Sequence, residues 1–329
     1  MANNIGERIR EMAELLDEEY IARALNIPVD TVRGVLSGEI PDSALEKFDP
    51  SRPPEVRIIE QERFVPSKLI GILSTGGCGA TILTASLAVL SAQRKKLPVA
   101  AVDLNELSYL GYAFGMDVLG EQAAFFPNIL WWNTAKDVKS SLIQHPEIDN
   151  LFFVLGAATA ERYAELRPDR VADSLKALAG AYSTVWVDCP TSPLLWKNIT
   201  PYLDMLIFVV RPDISHLISL WQAISMLKEQ KTKTVVVING ENGEGALSTA
   251  DCRRIINETT GLSILASLPE DPGLRKASNN SLCYALEKPK SPYIEAVTNV
   301  LDTLQPQAKK KKTIFSGVAG FIRNSIANL

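Results

Sequence analysis

Histidine and cysteine are scarce in this chain of 329 residues. The two histidines, His145 and His216, leave little material for a His-rich metal site or a Ser-His-Asp triad. The four cysteines contain no CxxC pair and no signal peptide begins the chain, so we expect a reduced, cytosolic protein. No apolar run reaches the roughly 18 residues of a membrane-spanning helix, so we expect no such helix.

The chain also lacks an excess of charge of one sign, since 34 basic and 38 acidic residues give a net charge of −4. A hydrophobic content of 46% and a charged content of 22% are ordinary for a folded protein of one large or two modest domains. The charge is nevertheless divided, with −5 in residues 1–47, +5 in residues 309–329 and −4 in the remainder. Segments of different charge suggest different partners.

Residues 1–47 are predicted to form a small helical module. Apolar residues recur there at helical spacing, first at Ile5, Ile9, Met12, Leu15 and Leu16 and then at Ile21, Ala22, Leu25, Ile27, Val32 and Val35. The stretch 18–35 resembles a helix-turn-helix, with Asn26 in place of the usual turn glycine. Its second helix is expected to present outward Asp30, Thr31, Arg33, Gly34 and Ser37.

Thr31, Arg33 and Ser37 are the candidate contacts of this module with DNA or with a protein partner. DNA binding requires basic groups that neutralise phosphates, whereas this module carries a net charge of −5. The composition therefore favours a protein partner, with DNA contact as the alternative and a three-helix unit without a partner as the simplest case.

Residues 48–66 are predicted to be a linker, because three prolines within residues 50–54 cannot continue a helix. From residue 67 to 305, short apolar runs alternate with helical patterns. The runs predict strands at Leu69–Leu73, Val99–Val102, Asn128–Trp132, Leu151–Leu155, Val185–Val187, Met205–Val210, Val235–Ile238 and Ile264–Ala266. The helical patterns include Thr81–Gln93, Arg162–Ala181, Ser215–Glu229 and Thr249–Thr259. This order predicts an α/β fold with a doubly wound, mostly parallel sheet.

A glycine-rich turn follows the first predicted strand, at residues 74–81, and leads into a helix. Backbone N–H groups of such a turn can face an anion, and the helix N-terminus adds partial positive charge. The turn resembles the deviant Walker A loop of the MinD/ParA family, K-G-G-x-G-K-[ST], but Thr75 and Ala80 stand where that family has its two lysines. The resemblance implies that phosphate is bound by Gly76, Gly77, Cys78, Gly79, Ala80, Thr81 and Ile82.

Four later segments resemble the same family in the same order. Asp103 matches the family's catalytic acidic segment, although Asn105 replaces the second acid, and Asp188 matches its Walker B strand. The resemblance implies that Thr81 and Asp188 hold Mg²⁺, and that Asn239 and Pro269 contact adenine. From the residues alone, Asp103 can equally be a helix cap and Asn239 the start of a turn.

Over residues 67–300, the resemblance implies a P-loop fold, binding of ATP or ADP with Mg²⁺, and a homodimer. A charged hydrogen bond contributes about 1.5–3 kcal/mol, so loss of the lysines favours a pseudo-ATPase with weakened nucleotide binding. A glycine turn that binds nothing and a weak but active ATPase are the alternatives. Within the family, the chain looks closest to the CpaE/TadZ proteins of Flp (Tad) pilus systems, although residues 1–47 are too few for their receiver-like domain.

Residues 306–329 are predicted to form a basic amphipathic helix. The stripe of apolar residues, preceded by four lysines, has the profile of a helix that lies in a membrane surface. The candidate membrane contacts are Lys309, Lys310, Lys311, Lys312, Phe315, Val318, Phe321, Ile322, Ile326 and Leu329. A tail that packs on its own domain is the alternative.

These features together predict a cytoplasmic protein that is peripheral at the inner face of the cell membrane. We expect a pseudo-ATPase that acts as a positioning or scaffold factor, for instance for a pilus or secretion system. A DNA-binding partition or regulatory protein that uses the helix-turn-helix, and a weak but active ATPase, remain the alternatives.

Overall fold

The computed structural model has two separate compact units, one formed by the described residues up to 45 and the other by those from 68 onward. The residues that the structure describes are 5–14, 16–25, 27–41, 45, 68–94, 97–116, 126–133, 138–191, 193, 196–227 and 231–306. The predicted linker and, from residue 307 onward, the predicted C-terminal helix lie outside these ranges.

Helices form the N-terminal unit, and their bounds are α1 (Ile5–Ala13), α2 (Glu18–Leu25) and α3 (Val29–Leu36). Pro28 precedes α3 in an extended conformation, where its missing N–H group breaks no helical hydrogen bond. Ile9, Ile21 and Val32 are fully buried and join the helices in one apolar core. The helical spacing of these residues predicts this packing.

Two predicted positions in this unit are wrong. Gly34 was expected to face outward but is buried, and a Cβ atom there would lie 2.5 Å from Cδ1 of Ile40. The chain after α3 therefore folds back over this point of the helix. Leu16 lies beyond the end of α1 and is 39% exposed, so it does not extend the buried stripe.

A single sheet forms the centre of the larger unit. Its strands among the described residues are β1 (Lys68–Leu73), β2 (Val99–Asp103), β3 (Ile143–His145), β4 (Ile148–Val154), β5 (Thr184–Asp188), β6 (Met205–Val210), β7 (Lys233–Glu241) and β8 (Ser263–Pro269). The strand order is β3-β4-β2-β5-β1-β6-β7-β8, and every neighbouring pair is parallel except β3 and β4. This arrangement confirms the predicted mostly parallel α/β class.

Helices cover both faces of the sheet. Their bounds are α4 (Ala80–Arg94), α5 (Leu110–Ala113), α6 (Ala160–Tyr163), α7 (Pro168–Ala181), α8 (Trp196–Ile199), α9 (Ile214–Leu227), α10 (Thr249–Thr260), α11 (Pro272–Asn279), α12 (Tyr284–Glu287) and α13 (Pro292–Leu304). Ile70 and Ile72 of β1 join the core beneath α4 and α13, whereas Leu69 and Leu73 join the core beneath α7 and α9. Strands buried on both faces explain the continuous apolar runs.

Two predictions for this unit need correction, and one strand was not predicted. The predicted strand at Asn128–Trp132 is a bridge at Asn128 followed by a 3₁₀ helix, Ile129–Asn133, because the Asn128 side chain accepts a hydrogen bond from the Leu130 amide (3.0 Å). The predicted helix at Arg162–Ala181 is two helices, since Pro168 starts α7 afresh. The antiparallel strand β3 was not predicted. Within the described ranges, no helix combines the length and apolar character needed to cross a membrane.

Candidate functional site

The glycine-rich turn occupies the centre of the sheet edge, between the end of β1 and the start of α4. Gly76, Gly77 and Gly79 have φ angles of +99°, +67° and +82°, a left-handed region that L-residues rarely adopt. A Cβ atom at Gly76 or Gly77 would meet nothing within 4 Å, so the backbone of the turn faces open space. The turn can therefore offer N–H groups to an anion, beside the positive end of the 15-residue helix α4.

Asn239 clamps this turn from the end of β7. Its Nδ2 atom donates to the Cys78 carbonyl at 2.7 Å, and a Cβ atom at Gly79 would lie only 2.5 Å from that nitrogen. Glycine is thus required at position 79 for two reasons: a Cβ atom would clash with the Asn239 amide, and the φ angle is left-handed. Burial raises the pKa of the Cys78 thiol to about 11, so this side chain is a neutral part of the turn.

Thr81 and Asp188 meet on one side of the turn. The Thr81 hydroxyl donates to Oδ2 of Asp188 at 2.6 Å, and the Asn105 amide donates to the same oxygen at 2.9 Å. Burial, and then the neighbouring Asp103, raise the pKa of Asp188 well above its ordinary value. The described residues hold no group of three or more His, Cys, Asp or Glu side chains suited to a metal ion. Mg²⁺ at this pair would therefore need oxygen atoms from a ligand and water.

Asp103 lies opposite Asp188 in the register of β2 and β5 and is fully buried. Its Oδ1 accepts hydrogen bonds from the backbone and side-chain amides of Asn105 (3.0 and 3.1 Å). Its Oδ2 accepts three more, including those from the Ser108 hydroxyl (3.1 Å) and the Leu110 amide (3.0 Å). Both oxygens thus hold the loop that leads into α5, the helix-cap role that the residues alone allowed.

Two clefts flank the turn, and Gly77, Gly79 and Ile82 line both. The Asp188 cleft, about 410 Å³, also contains Ala80, Thr81, Asn105 and Glu106. Its two acidic side chains are those of Glu106 and Asp188, and no described lysine or arginine lines it. Thr75 and Ala80 stand where the MinD/ParA family has its two lysines. Ala80 is 8% exposed and Thr75 is partly buried, and neither side chain carries a positive charge.

The Asn239 cleft, about 390 Å³, lies on the other side of the turn. Pro269 at the end of β8, Arg275 of α11 and Tyr293 of α13 line it with Asn239. The Tyr293 hydroxyl is buried and has no hydrogen-bond partner, although most buried polar groups have one. Arg211 and Glu270 form a 2.8 Å ion pair in the same cleft.

The structure thus brings all the predicted phosphate, metal and adenine positions of the larger unit to one edge of the sheet. Sequence reasoning missed Arg275, Tyr293 and the donor role of Asn105. Arg275 and Tyr293 belong to helices after the last strand, and no sequence motif marks either residue. The membrane candidates, Lys309–Lys312 and the apolar stripe, lie outside the described residues.

The candidate contacts of the N-terminal unit lie on α3 and just after it. Arg33 Nε donates to Glu18 Oε2 at 2.7 Å, and Arg33 Nη1 lies 3.6 Å from Asp30 Oδ1. Ser37 is exposed, but its hydroxyl donates to the Gly34 carbonyl at 3.2 Å. Thr31 is partly buried. The positive charge of Arg33 is thus compensated within the unit itself.

Several known proteins share the fold of the larger unit. No family model matches the chain. A Methanocaldococcus jannaschii protein, described as an uncharacterized ATP-binding protein, is 26% identical over 266 residues, covering 75% of this chain and 92% of its own. MinD of Pyrococcus horikoshii, solved with Mg-ADP, has a TM-score of 0.63 at 22% identity and covers 73% of this chain and 96% of its own. A ParA family ATPase from Chlorobium tepidum has a TM-score of 0.62 at 19% identity, with coverages of 73% and 99%. The larger unit has the α/β fold of these MinD and ParA ATPases.

Proposed function

We propose that this protein is a nucleotide-binding member of the MinD/ParA group that hydrolyses ATP very slowly or not at all. The observation that carries the proposal is one glycine turn set between two clefts, with Thr81 and Asp188 on one side and Asn239 and Tyr293 on the other. The fold likeness to MinD with Mg-ADP and the ATP-binding relative support the same ligand class.

The residues present fit a nucleotide with Mg²⁺. The open backbone at Gly76 and Gly77 would receive phosphate, and Thr81 and Asp188 would hold the ion, which would neutralise phosphate charge when bound. Tyr293 lines the Asn239 cleft, and its buried hydroxyl has no hydrogen-bond partner in the protein, so a base or sugar in this cleft would lie beside an unpaired polar group. The Asn239 amide holds the turn in place through the Cys78 carbonyl.

Slow or absent hydrolysis follows from two features of the Asp188 cleft. Phosphoryl transfer depends on cations that stabilise the negative charge of the transition state, and the described lining of this cleft contains only acidic charges. Asp103 has both oxygens in hydrogen bonds to its own loop, so it is not free to orient a water molecule. We therefore favour a pseudo-ATPase over a weak but active ATPase.

Calorimetric titration with Mg-ADP and Mg-ATP, alongside phosphate release, tests this proposal. We expect binding of both nucleotides with no turnover above a blank. Ala80→Lys should tighten binding about tenfold or more, because a charged hydrogen bond contributes about 1.5–3 kcal/mol. Ala80→Met, of similar length but uncharged, should not. Turnover that Thr81→Ala abolishes would contradict the pseudo-ATPase, and no binding by any form would contradict the nucleotide site.

We further propose that the protein is a homodimer and works as a positioning or scaffold factor at the cytoplasmic face of the membrane, anchored by residues 309–329. The support is the sequence of that segment, four lysines followed by an apolar stripe. A CpaE/TadZ-like role in a pilus or secretion system is the specific form of this proposal. Light scattering with and without nucleotide tests the dimer, since a scaffold that no longer depends on ATP would dimerise in both conditions.

A protein-docking role for the N-terminal unit is favoured over DNA binding by the ion pairs of Arg33 with Glu18 and Asp30. An arginine paired in this way loses favourable contacts when it turns to a phosphate. We expect no salt-sensitive shift of duplex DNA in fluorescence anisotropy. Binding lost in Arg33→Glu but kept in Arg8→Glu, a control on the exposed side of α1, would instead favour a DNA-binding regulator.

A further inference from the structure

The nucleotide proposed above carries negative charge, yet the described lining of the Asp188 cleft holds no cation. Lys68 and Arg211 are the two basic side chains near the strand ends that come into question as replacements for the missing lysines. Both are already hydrogen-bonded to other groups of the protein. Lys68 begins β1, at the edge of the sheet away from the turn, and its Nζ donates to the Leu304 carbonyl at 2.6 Å. Arg211 is within the Asn239 cleft, but its Nη2 is bonded to Glu270 at 2.8 Å.

Arg275 differs from both. Its side chain is exposed, lines the Asn239 cleft together with Gly77 and Gly79 of the turn, and makes no hydrogen bond or ion pair with any described residue. Of the two arginines that line this cleft among the described residues, Arg211 has a carboxylate partner and Arg275 has none. A free guanidinium that lines the same cleft as the turn is available to a ligand.

The backbone that carries Arg275 is held firmly. Asp271 caps α11 by accepting a hydrogen bond from the Gly273 amide at 2.9 Å, and the Tyr284 hydroxyl donates to the other oxygen of Asp271 at 2.5 Å. The guanidinium group is therefore an exposed, unpaired group on a helix whose start is fixed by hydrogen bonds. Its planar donors suit the oxygen atoms of a phosphate.

We propose that Arg275 binds the phosphate chain of the nucleotide and supplies the positive charge that Thr75 and Ala80 do not. This inference rests on the proposed nucleotide site. Arg275 approaches from the Asn239 cleft, whereas Ala80 lines the Asp188 cleft, so the phosphates would be held from the opposite side of the turn. Binding would thus be retained without placing a cation in the cleft that contains Thr81 and Asp188.

Calorimetry with ADP and with adenosine, each in the presence of Mg²⁺, separates the phosphate from the base. Arg275→Ala should weaken ADP binding about tenfold or more and leave adenosine binding unchanged, because only ADP carries the charge that the guanidinium contacts. Lys276→Ala is the matched control, since Lys276 is also exposed on α11 but does not line the cleft. It should bind both ligands like the wild type.

The possible failures are distinguishable. If the wild-type protein binds neither ligand, the nucleotide site itself is wrong. If the wild type binds ADP and Arg275→Ala binds it equally well, the site stands and the role of Arg275 is wrong. Equal weakening of ADP and adenosine would also overturn the role, since the side chain would then act on the base. Circular dichroism of each variant verifies that the fold is intact.

Discussion

Asp188 accepts both of its hydrogen bonds on one oxygen, from the uncharged donors Thr81 and Asn105. Uncharged donors offset only part of the free energy lost when a carboxylate leaves water. The pKa of Asp188 is raised well above 3.8, first by burial and then by Asp103. At pH values between 3.8 and the raised pKa, Asp188 in the folded protein holds a proton that the unfolded chain releases, so ionisation of Asp188 opposes folding. A buried acid that opposes folding in this way agrees with the ligand site proposed above.

The pH dependence of the free energy of unfolding should reveal the cost of ionising Asp188 in the folded protein. The contribution of Asp188 to the free energy of unfolding should fall as pH rises above 3.8, the ordinary Asp value, until the raised pKa is reached. Asp188→Asn keeps an acceptor for Thr81 but cannot ionise, so it should be more stable than the wild type at neutral pH, and the difference should shrink in mild acid. Urea unfolding across this range measures both.

Asp173→Asn, on the exposed side of α7, is the matched control and should follow the wild-type pH profile. Parallel profiles for Asp188→Asn and the wild type would mean that Asp188 ionises in the folded protein as freely as in the unfolded chain.

At the scale of the elements, the buried parallel strands were predictable because their apolar character is continuous. The prediction for β6 matches the structure at both ends, Met205 and Val210. The strand β3 was not predictable, because a three-residue edge strand containing Gln144 and His145 has no apolar run. The error at Asn128–Trp132 has a different cause. The Asn128 side chain accepts a hydrogen bond from the Leu130 amide, which turns the backbone away from the sheet, and Trp132 Nε1 then donates to Ser141 Oγ at 2.8 Å.

Some residues of the candidate site were likewise predictable from the sequence, and others were not. The glycine turn, Thr81, Asp188 and Asn239 follow from motif order along the chain, since the carboxyl ends of parallel strands share one edge of the sheet. Arg275 and Tyr293 come from helices that follow the last strand, and no local pattern places them at that edge. The clamp of Asn239 on the Cys78 carbonyl likewise joins residues 161 apart in the sequence, and no local pattern encodes such a contact.

That clamp makes two glycines of the turn unequal. Alanine at Gly77 or Gly79 must adopt a left-handed φ, which costs about 1–2 kcal/mol, but only at Gly79 does the new Cβ atom also reach Nδ2 of Asn239. Gly79→Ala should therefore lower the free energy of unfolding by about 1 kcal/mol more than Gly77→Ala, the value of a lost hydrogen bond. Denaturant unfolding of both variants measures the difference.

A double-mutant cycle isolates the clamp. In an Asn239→Ala background the Cβ atom at position 79 meets no amide, so the excess effect of Gly79→Ala over Gly77→Ala should disappear. If Gly79→Ala still lowered the free energy of unfolding more than Gly77→Ala in this background, the difference would come from the φ angles alone and not from contact with Asn239.

At the scale of the whole molecule, the net charge of −4 is the sum of unlike parts. The N-terminal 47 residues carry −5 and residues 309–329 carry +5. In the acidic part, Arg33 is already paired with Glu18, so the arginine of α3 is not free for a nucleic acid. The basic part has the composition that anionic lipid attracts. The two oppositely charged segments suit different partners, as the scaffold role proposed above would require.

Vesicle binding tests the basic end. Co-sedimentation should be strong with vesicles of equal parts phosphatidylglycerol and phosphatidylcholine and weak with phosphatidylcholine alone. Each lysine near an anionic surface contributes about 1 kcal/mol, so glutamine at Lys309–Lys312 should reduce binding by more than about tenfold. Glutamine at Lys288 and Lys290, exposed lysines of the larger unit, is the matched control and should leave binding unchanged.

Because the apolar stripe must also enter the membrane surface, serine at Phe321 and Ile322 should weaken binding to a similar degree. Vesicle binding that survives deletion of 309–329 would show that another surface of the protein carries it.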